Sequence, residues 1–163
     1  MSSQKTFDVG DKVVYPMHGA GIIEAIEQKE VLGRDERYYI MRMPIGELRV
    51  MIPLKSGDEL GLREVIDVKD VSKVFDVLKS EVTKMSQNWN RRFRANMEKI
   101  KTGDIYEVAG VVRNLAARDR ERGLSTGERK MLENARQILI SELVLAQNME
   151  EEDVEAQLEE VLG

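Results

Sequence analysis

The hydrophobic period of this chain changes once, and that change divides it. Up to about residue 53, apolar residues come in short β-branched and aromatic runs broken by Gly, Pro and Asp; from about residue 65 they recur every three or four positions. One kind of element cannot serve both periods, because a strand buries alternate side chains and a helix buries a stripe. The chain is therefore expected to be α+β. A β module should occupy residues 1–55, a linker 56–64 punctuated by Gly57 and Gly61, and a helical module 65–163.

In the first module, Lys12–Tyr15 is a β-rich run entered through Gly10-Asp11 and stopped by Pro16. Gly21–Glu27, Arg37–Met43 and Leu48–Ile52 read as three further strands, with Gly33–Glu36 as a hairpin tip. Short strands at this spacing predict a small closed or nearly closed barrel, whose edges must be covered or used. In the second module, Val71, Val74, Phe75 and Leu78 mark one helix face, and Trp89, Phe93, Met97 and Ile100 mark the next. Gly103 and Gly123 are helix stops; Asp104 with Glu107 and Ser125 with Glu128 are capping-box starts. Asn148 reads as the cap of a last helix carrying Val154, Leu158, Val161 and Leu162.

The net charge of -5 conceals an asymmetry. Residues 84–141 carry 13 basic and 7 acidic side chains, whereas residues 142–163 carry 8 acidic and no basic ones. A basic segment beside an acidic tail points to nucleic acid, although solvated helix faces would give the same count. Met1–Lys5 leads into no apolar h-region, and no apolar run nears the roughly 18 residues of a membrane span, so a cytoplasmic chain with no membrane partner is expected. Cysteine is absent and His18 is the sole histidine, so no usual metal or nucleophile constellation can be assembled. The carboxylates lack a recognisable partner, phosphate loop or metal spacing. The expectation is no enzyme, no catalytic residue, no cofactor, no metal and no small-molecule substrate.

The stretch Gln87–Arg94 holds the only tryptophan, followed at once by Arg91, Arg92 and Arg94. Helical spacing puts Trp89 on the apolar stripe, which describes a core residue. Its place in the first turn would also let it project beyond the bundle as an apolar wedge among phosphate-neutralising arginines. Spacing alone leaves both open.

Val9-Gly10-Asp11-Lys12-Val13-Val14-Tyr15-Pro16, then His18-Gly19-Ala20-Gly21, resembles the opening of the bacterial CarD-like proteins and of the related module in the transcription-repair coupling factor. Trp89–Asn96, Asp119–Ser125 and Asn134–Leu139 resemble the signature of that family's C-terminal domain. The resemblance spans nearly the whole chain, in the short stand-alone form. It implies a Tudor-like barrel that docks on the β subunit of RNA polymerase, and a tryptophan that enters the minor groove of promoter DNA at the upstream edge of the melted bubble, stabilising the open complex. Carried onto this sequence, the DNA-contacting set is Trp89, Arg91, Arg92, Arg94, Arg129 and Lys130. Docking is expected on the strand Leu48, Arg49, Val50, Met51 and Ile52, with Lys29 and Val31 of the neighbouring hairpin. Such a protein would be cytoplasmic and reach the nucleoid through polymerase. The alternative is an adaptor whose barrel and bundle bind two protein partners without DNA.

Overall fold

The computed structural model describes residues 6–163; Met1–Lys5, read above for a leader, lie outside them. The fold is α+β, an antiparallel five-stranded sheet followed by helices. Strands β1 (Lys12–Tyr15), β2 (Gly19–Val31), β3 (Arg34–Arg42), β4 (Arg49–Pro53) and β5 (Arg63–Glu64) pair in the order β4-β3-β2-β1-β5. The sheet encloses a core of Phe7, Val13, Ile23, Tyr39, Met41 and Ile52. Tyr39 is fully buried, and its hydroxyl accepts the Phe7 N–H at 3.1 Å.

Two boundaries differ from expectation. The stretch 56–64 is no free linker: after a short helix α1 (Gly57–Leu60), β5 pairs Arg63 with Val14 and Glu64 with Val13, and Leu62 is buried in the sheet core. A two-residue strand has no period to read, so only pairing reveals it. The β2–β3 hairpin also runs farther, and its tip is Leu32-Gly33 with φ of 53° and 76°. Two positive φ values match the twist of a two-residue hairpin turn. β4 and β5 pair with no further strand among the described residues, so the sheet keeps two edges and is not fully closed.

The helices are α2 (Val71–Lys79), α3 (Trp89–Lys101), α4 (Ile105–Arg122), α5 (Thr126–Gln147) and α6 (Glu151–Leu162). Their starts follow side-chain caps: Asn88 accepts the Arg91 N–H, Asp104 the Tyr106 N–H and Ser125 the Glu128 N–H. Asn148 acts otherwise than expected. It ends α5 in the left-handed region (φ 54°, ψ 49°), and α6 begins after Glu150 without a side-chain cap. Glu151, Glu152 and Asp153 then sit at the positive end of the α6 dipole. Leu115, Leu139, Ile140, Leu143 and Leu158 form the centre of the bundle, and α5 runs through it.

The C-terminal half of α5 also seats the sheet. Glu142, 2% exposed, receives Arg63 Nη1 and Nη2 at 2.8 and 2.7 Å and the Ile66 N–H at 3.0 Å, while Arg63 Nε reaches Gly103 O at 2.8 Å. Lys12 Nζ donates to Leu145 O, and the Ala20 N–H to Ser141 Oγ, each at 2.9 Å. Two glycines allow this approach. A Cβ on Gly19 would lie 2.8 Å from Ser141 Oγ, and one on Gly103 would lie 2.8 Å from Pro16 Cγ; both residues have positive φ. The sheet and the bundle therefore share one rigid seam. Arg63→Ala would leave the Glu142 carboxylate buried without its cation, an error worth about 3–5 kcal/mol for a fully buried pair. Arg63 keeps 29% side-chain exposure, so a loss near the low end is expected in urea unfolding. Unchanged stability would show that the seam contributes nothing to the native state.

Candidate nucleic-acid interface

Trp89 is the first residue of α3, and 41% of it is exposed. Its ring stacks on Phe93, with centroids 4.9 Å apart and planes at 16°. A Cβ placed on Gly127 would touch the indole at 3.4 Å, so the bare helix backbone there leaves room for the ring to lie close. Indole Nε1–H donates to Ser125 Oγ at 2.9 Å. The tryptophan is neither core nor loose: Phe93, Gly127 and Ser125 brace it, and 41% of it stays exposed. The brace brings the N-termini of α3 and α5 together, and both present the positive end of a helix dipole.

The cations reinforce that field. Arg91, Arg94, Arg129 and Lys130 are exposed around the two helix starts. The first turn of α3 has no acidic residue, although the dipole favours one there. Arg129 is partly engaged, with Nη2 at 3.5 Å from Leu124 O and 3.8 Å from Asp119. Arg92 departs from expectation and leaves the candidate set. Only 3% exposed, it donates Nε and Nη2 to Glu128 at 2.7 and 3.1 Å, and Nη1 to Ser86 O and Gln87 O. No phosphate can reach a guanidinium whose donors are used inside the protein. The spacing carried a signal for this: Arg92 and Asn96 fall at i+3 and i+7 from Trp89, on the inward stripe.

Glu128 joins the two starts. Its backbone N–H is capped by Ser125, its carboxylate takes the Arg92 fork, and Ser125 Oγ lies 3.2 Å from Oε1. The charge-assisted bonds from Arg92 hold the Glu128 carboxyl below its usual range, against the opposing effect of burial. The same bonds raise Arg92.

The candidate docking edge lies on the sheet. Leu48, Val31 and Met51 are exposed at 61%, 44% and 44%, and Lys29 Nζ reaches Met51 Sδ at 3.9 Å. Arg49 is bound to Glu24 at 2.8 Å, and Val50 is half-buried. Ile52 is 1% exposed, so its side chain serves the sheet core and only its backbone belongs to the edge. His18 packs on Tyr15 with ring centroids 4.1 Å apart and planes tilted by 37°. No described helix is long and apolar enough to cross a membrane, and no described group of His, Asp and Glu could hold a metal ion.

Residues 7–66 match the family described as CarD-like/TRCF RID domain, and residues 73–159 match CarD, C-terminal domain. The chain belongs to the CarD-like family. A relative from Bacillus subtilis (strain 168), named putative transcription factor YdeB, is 41% identical over 150 residues, covering 92% of this chain and 98% of its own. A solved structure titled CdnLNt from Myxoccoccus xanthus is 39% identical and covers 40% of this chain and 93% of that one, with a TM-score of 0.33. Members of the CarD-like family are transcription-related regulators that engage RNA polymerase, not enzymes.

Two measurements check the brace. Glu128 stays ionised in the native state at pH values where the unfolded chain already binds a proton. Its stabilisation is complete above the ordinary glutamate pKa of about 4.3 and declines as pH falls through the depressed native value. Glu128→Gln should therefore flatten the acid limb of stability against pH; an unaltered limb would place the acid sensitivity elsewhere. Trp89 is the single tryptophan, so fluorescence reads it alone. Ser125→Ala should shift its emission and shorten the exchange lifetime of the indole N–H, while the lost cap costs about 0.5–2 kcal/mol. Unmoved emission and exchange would mean that Ser125 does not hold the ring.

Proposed function

We propose that this protein is a non-enzymatic transcription regulator that docks on the β subunit of RNA polymerase and stabilises the promoter open complex. Trp89 acts as a wedge in the minor groove at the upstream edge of the bubble. The observation that carries this reading is the indole itself. A large apolar ring, 41% exposed and braced by Phe93 and Ser125, stands where two helix N-termini and four exposed cations concentrate positive potential. Arg91, Arg94, Arg129 and Lys130 neutralise phosphates and supply affinity without sequence information. The ring inserts where bases are already unstacked, and base–aromatic stacking of roughly 1–3 kcal/mol shifts a melting equilibrium about tenfold or more. Melted DNA fits the wedge better than duplex does, and that difference in affinity is what moves the equilibrium. Because Nε1–H bonds Ser125 in the free protein, donation to a thymine O2 would require the indole to exchange one acceptor for another.

Docking uses the open edge at β4. A free strand adds backbone pairing to a partner sheet, and Leu48, Met51 and Val31 provide apolar contact beside it. A regulator acting on promoter DNA through polymerase works in the cytoplasm, at the nucleoid.

The test pairs two variants of the whole chain in a promoter assay with polymerase. Trp89→Ala should shorten the open-complex lifetime about tenfold while costing no more than about 1.5 kcal/mol of stability, the scale of one aromatic pair. Met51→Glu should abolish capture of the β subunit and leave the fold intact. A Trp89→Ala protein that keeps the full lifetime would refute the wedge, and a Met51→Glu protein that still captures β would refute docking at this edge.

A further inference from the structure

The connection 80–88 between α2 and α3 lies against α4, and together they enclose a groove of about 250 Å3 that none of the contacts above uses. Its walls are fixed. Asn114, 1% exposed, accepts the Thr83 N–H at 3.2 Å and donates to Thr83 Oγ1 at 2.7 Å. Arg92 holds the carbonyls of Ser86 and Gln87 from beneath, and Asn96 Nδ2 meets Met85 Sδ at 3.5 Å. A pinned connection keeps the groove open with no ligand to order it.

The charge in the groove is unbalanced. Lys84 from the connection and Arg118 and Arg122 from successive turns of α4 line it, against one carboxylate, Glu121. Among the described residues, none of these three cations forms a salt bridge, and Arg118 is compensated only through space, by the Glu128 carboxylate that Arg92 already occupies. Arg118 Nε is buried and lacks a hydrogen-bond acceptor. Arg113 on the same helix, by contrast, donates to Val77 O and Asn114 Oδ1. Convergent cations repel one another unless an anion is shared between them, and a buried donor without an acceptor is costly. The groove also has apolar surface from Val82, Met85 and Ala117.

The groove adjoins the wedge. Gln87 lines it two residues before Trp89, and Arg122 lines it three residues before Ser125, which holds the indole. The groove is far too small for a duplex, and its cations lie where a strand parted from its partner at Trp89 would pass. We propose that this groove binds the phosphodiester backbone of the single DNA strand that leaves the duplex at Trp89. The inference rests on the DNA reading given above and extends it from the fork to the strand beyond. Lys84, Arg118 and Arg122 take the phosphates, the apolar surface takes the sugars, and the contact is independent of sequence.

The test is binding of the full chain to labelled fork-junction DNA, with and without a single-stranded tail, over a range of salt. The side chains of Lys84 and Arg122 are exposed and make no hydrogen bond among the described residues, so the double variant Lys84→Ala/Arg122→Ala should stay folded. The wild-type chain should prefer the tailed fork. In the double variant that preference should vanish, and the slope of log affinity against log salt should flatten by about 1.4, two single-strand contacts at about 0.7 each. Arg91→Ala/Arg94→Ala should instead weaken tailed and blunt DNA alike. If the groove variant keeps both preference and slope while the Arg91/Arg94 variant loses affinity, the groove assignment falls and the wedge reading stands. If the wild-type chain binds neither DNA, both fall. Lost polymerase capture with an unaltered tail preference would make the groove a protein contact, which also overturns the assignment.

Discussion

Two buried carboxylates on α5 set the geometry of this protein. Glu128, in the first turn, takes the Arg92 fork and fixes the start of α3; Glu142 takes the Arg63 fork and fixes the sheet. They are fourteen residues apart, about 21 Å along one helix. Each pair is weak evidence for stability, because desolvating two charges offsets much of their attraction. What each supplies is position. A two-pronged fork accepts its partner in one orientation, so the start of α3 and the sheet are held at a constant separation by one helix.

That arrangement also explains why the region around Trp89 can be strongly positive without destabilising its own helices. The buried arginine of this helix start, Arg92, is neutralised internally by Glu128, and Asn88 caps the helix. The remaining cations point to solvent, where water screens their mutual repulsion. Ser125 works on both sides of this junction, receiving a backbone donor from within the fold and the indole donor from the interface. One hydroxyl therefore caps α5 and holds the exposed indole.

Much of this was legible in the sequence where a local rule sufficed. The change of period separated sheet from bundle, Gly103 and Gly123 ended helices, and the capping signals at Asp104 and Ser125 opened them. What escaped depends on contacts between distant segments. β5 exists only because β1 offers it a pairing edge, and Asn148 ends a helix rather than starting one because its backbone turns left-handed. Arg92 read as surface because arginine usually is, yet the Glu128 that buries it lies 36 residues away in a different helix. The family resemblance marked Trp89 as functional; its degree of exposure and its brace required coordinates.

The acidic start of α6 has a consequence for approach as well as for structure. Glu150, Glu151, Glu152 and Asp153 follow the C-terminus of α5, a helix about 33 Å long whose first turns carry Arg129 and Lys130. Opposite charges at the two ends of a rod make a large electric moment, even in a molecule whose net charge is -5. A polyanion exerts a torque on such a moment, turning the acidic end away and the indole end forward before any contact forms. For a chain that is acidic overall, this layout makes the indole end the one that a polyanion meets with the least repulsion.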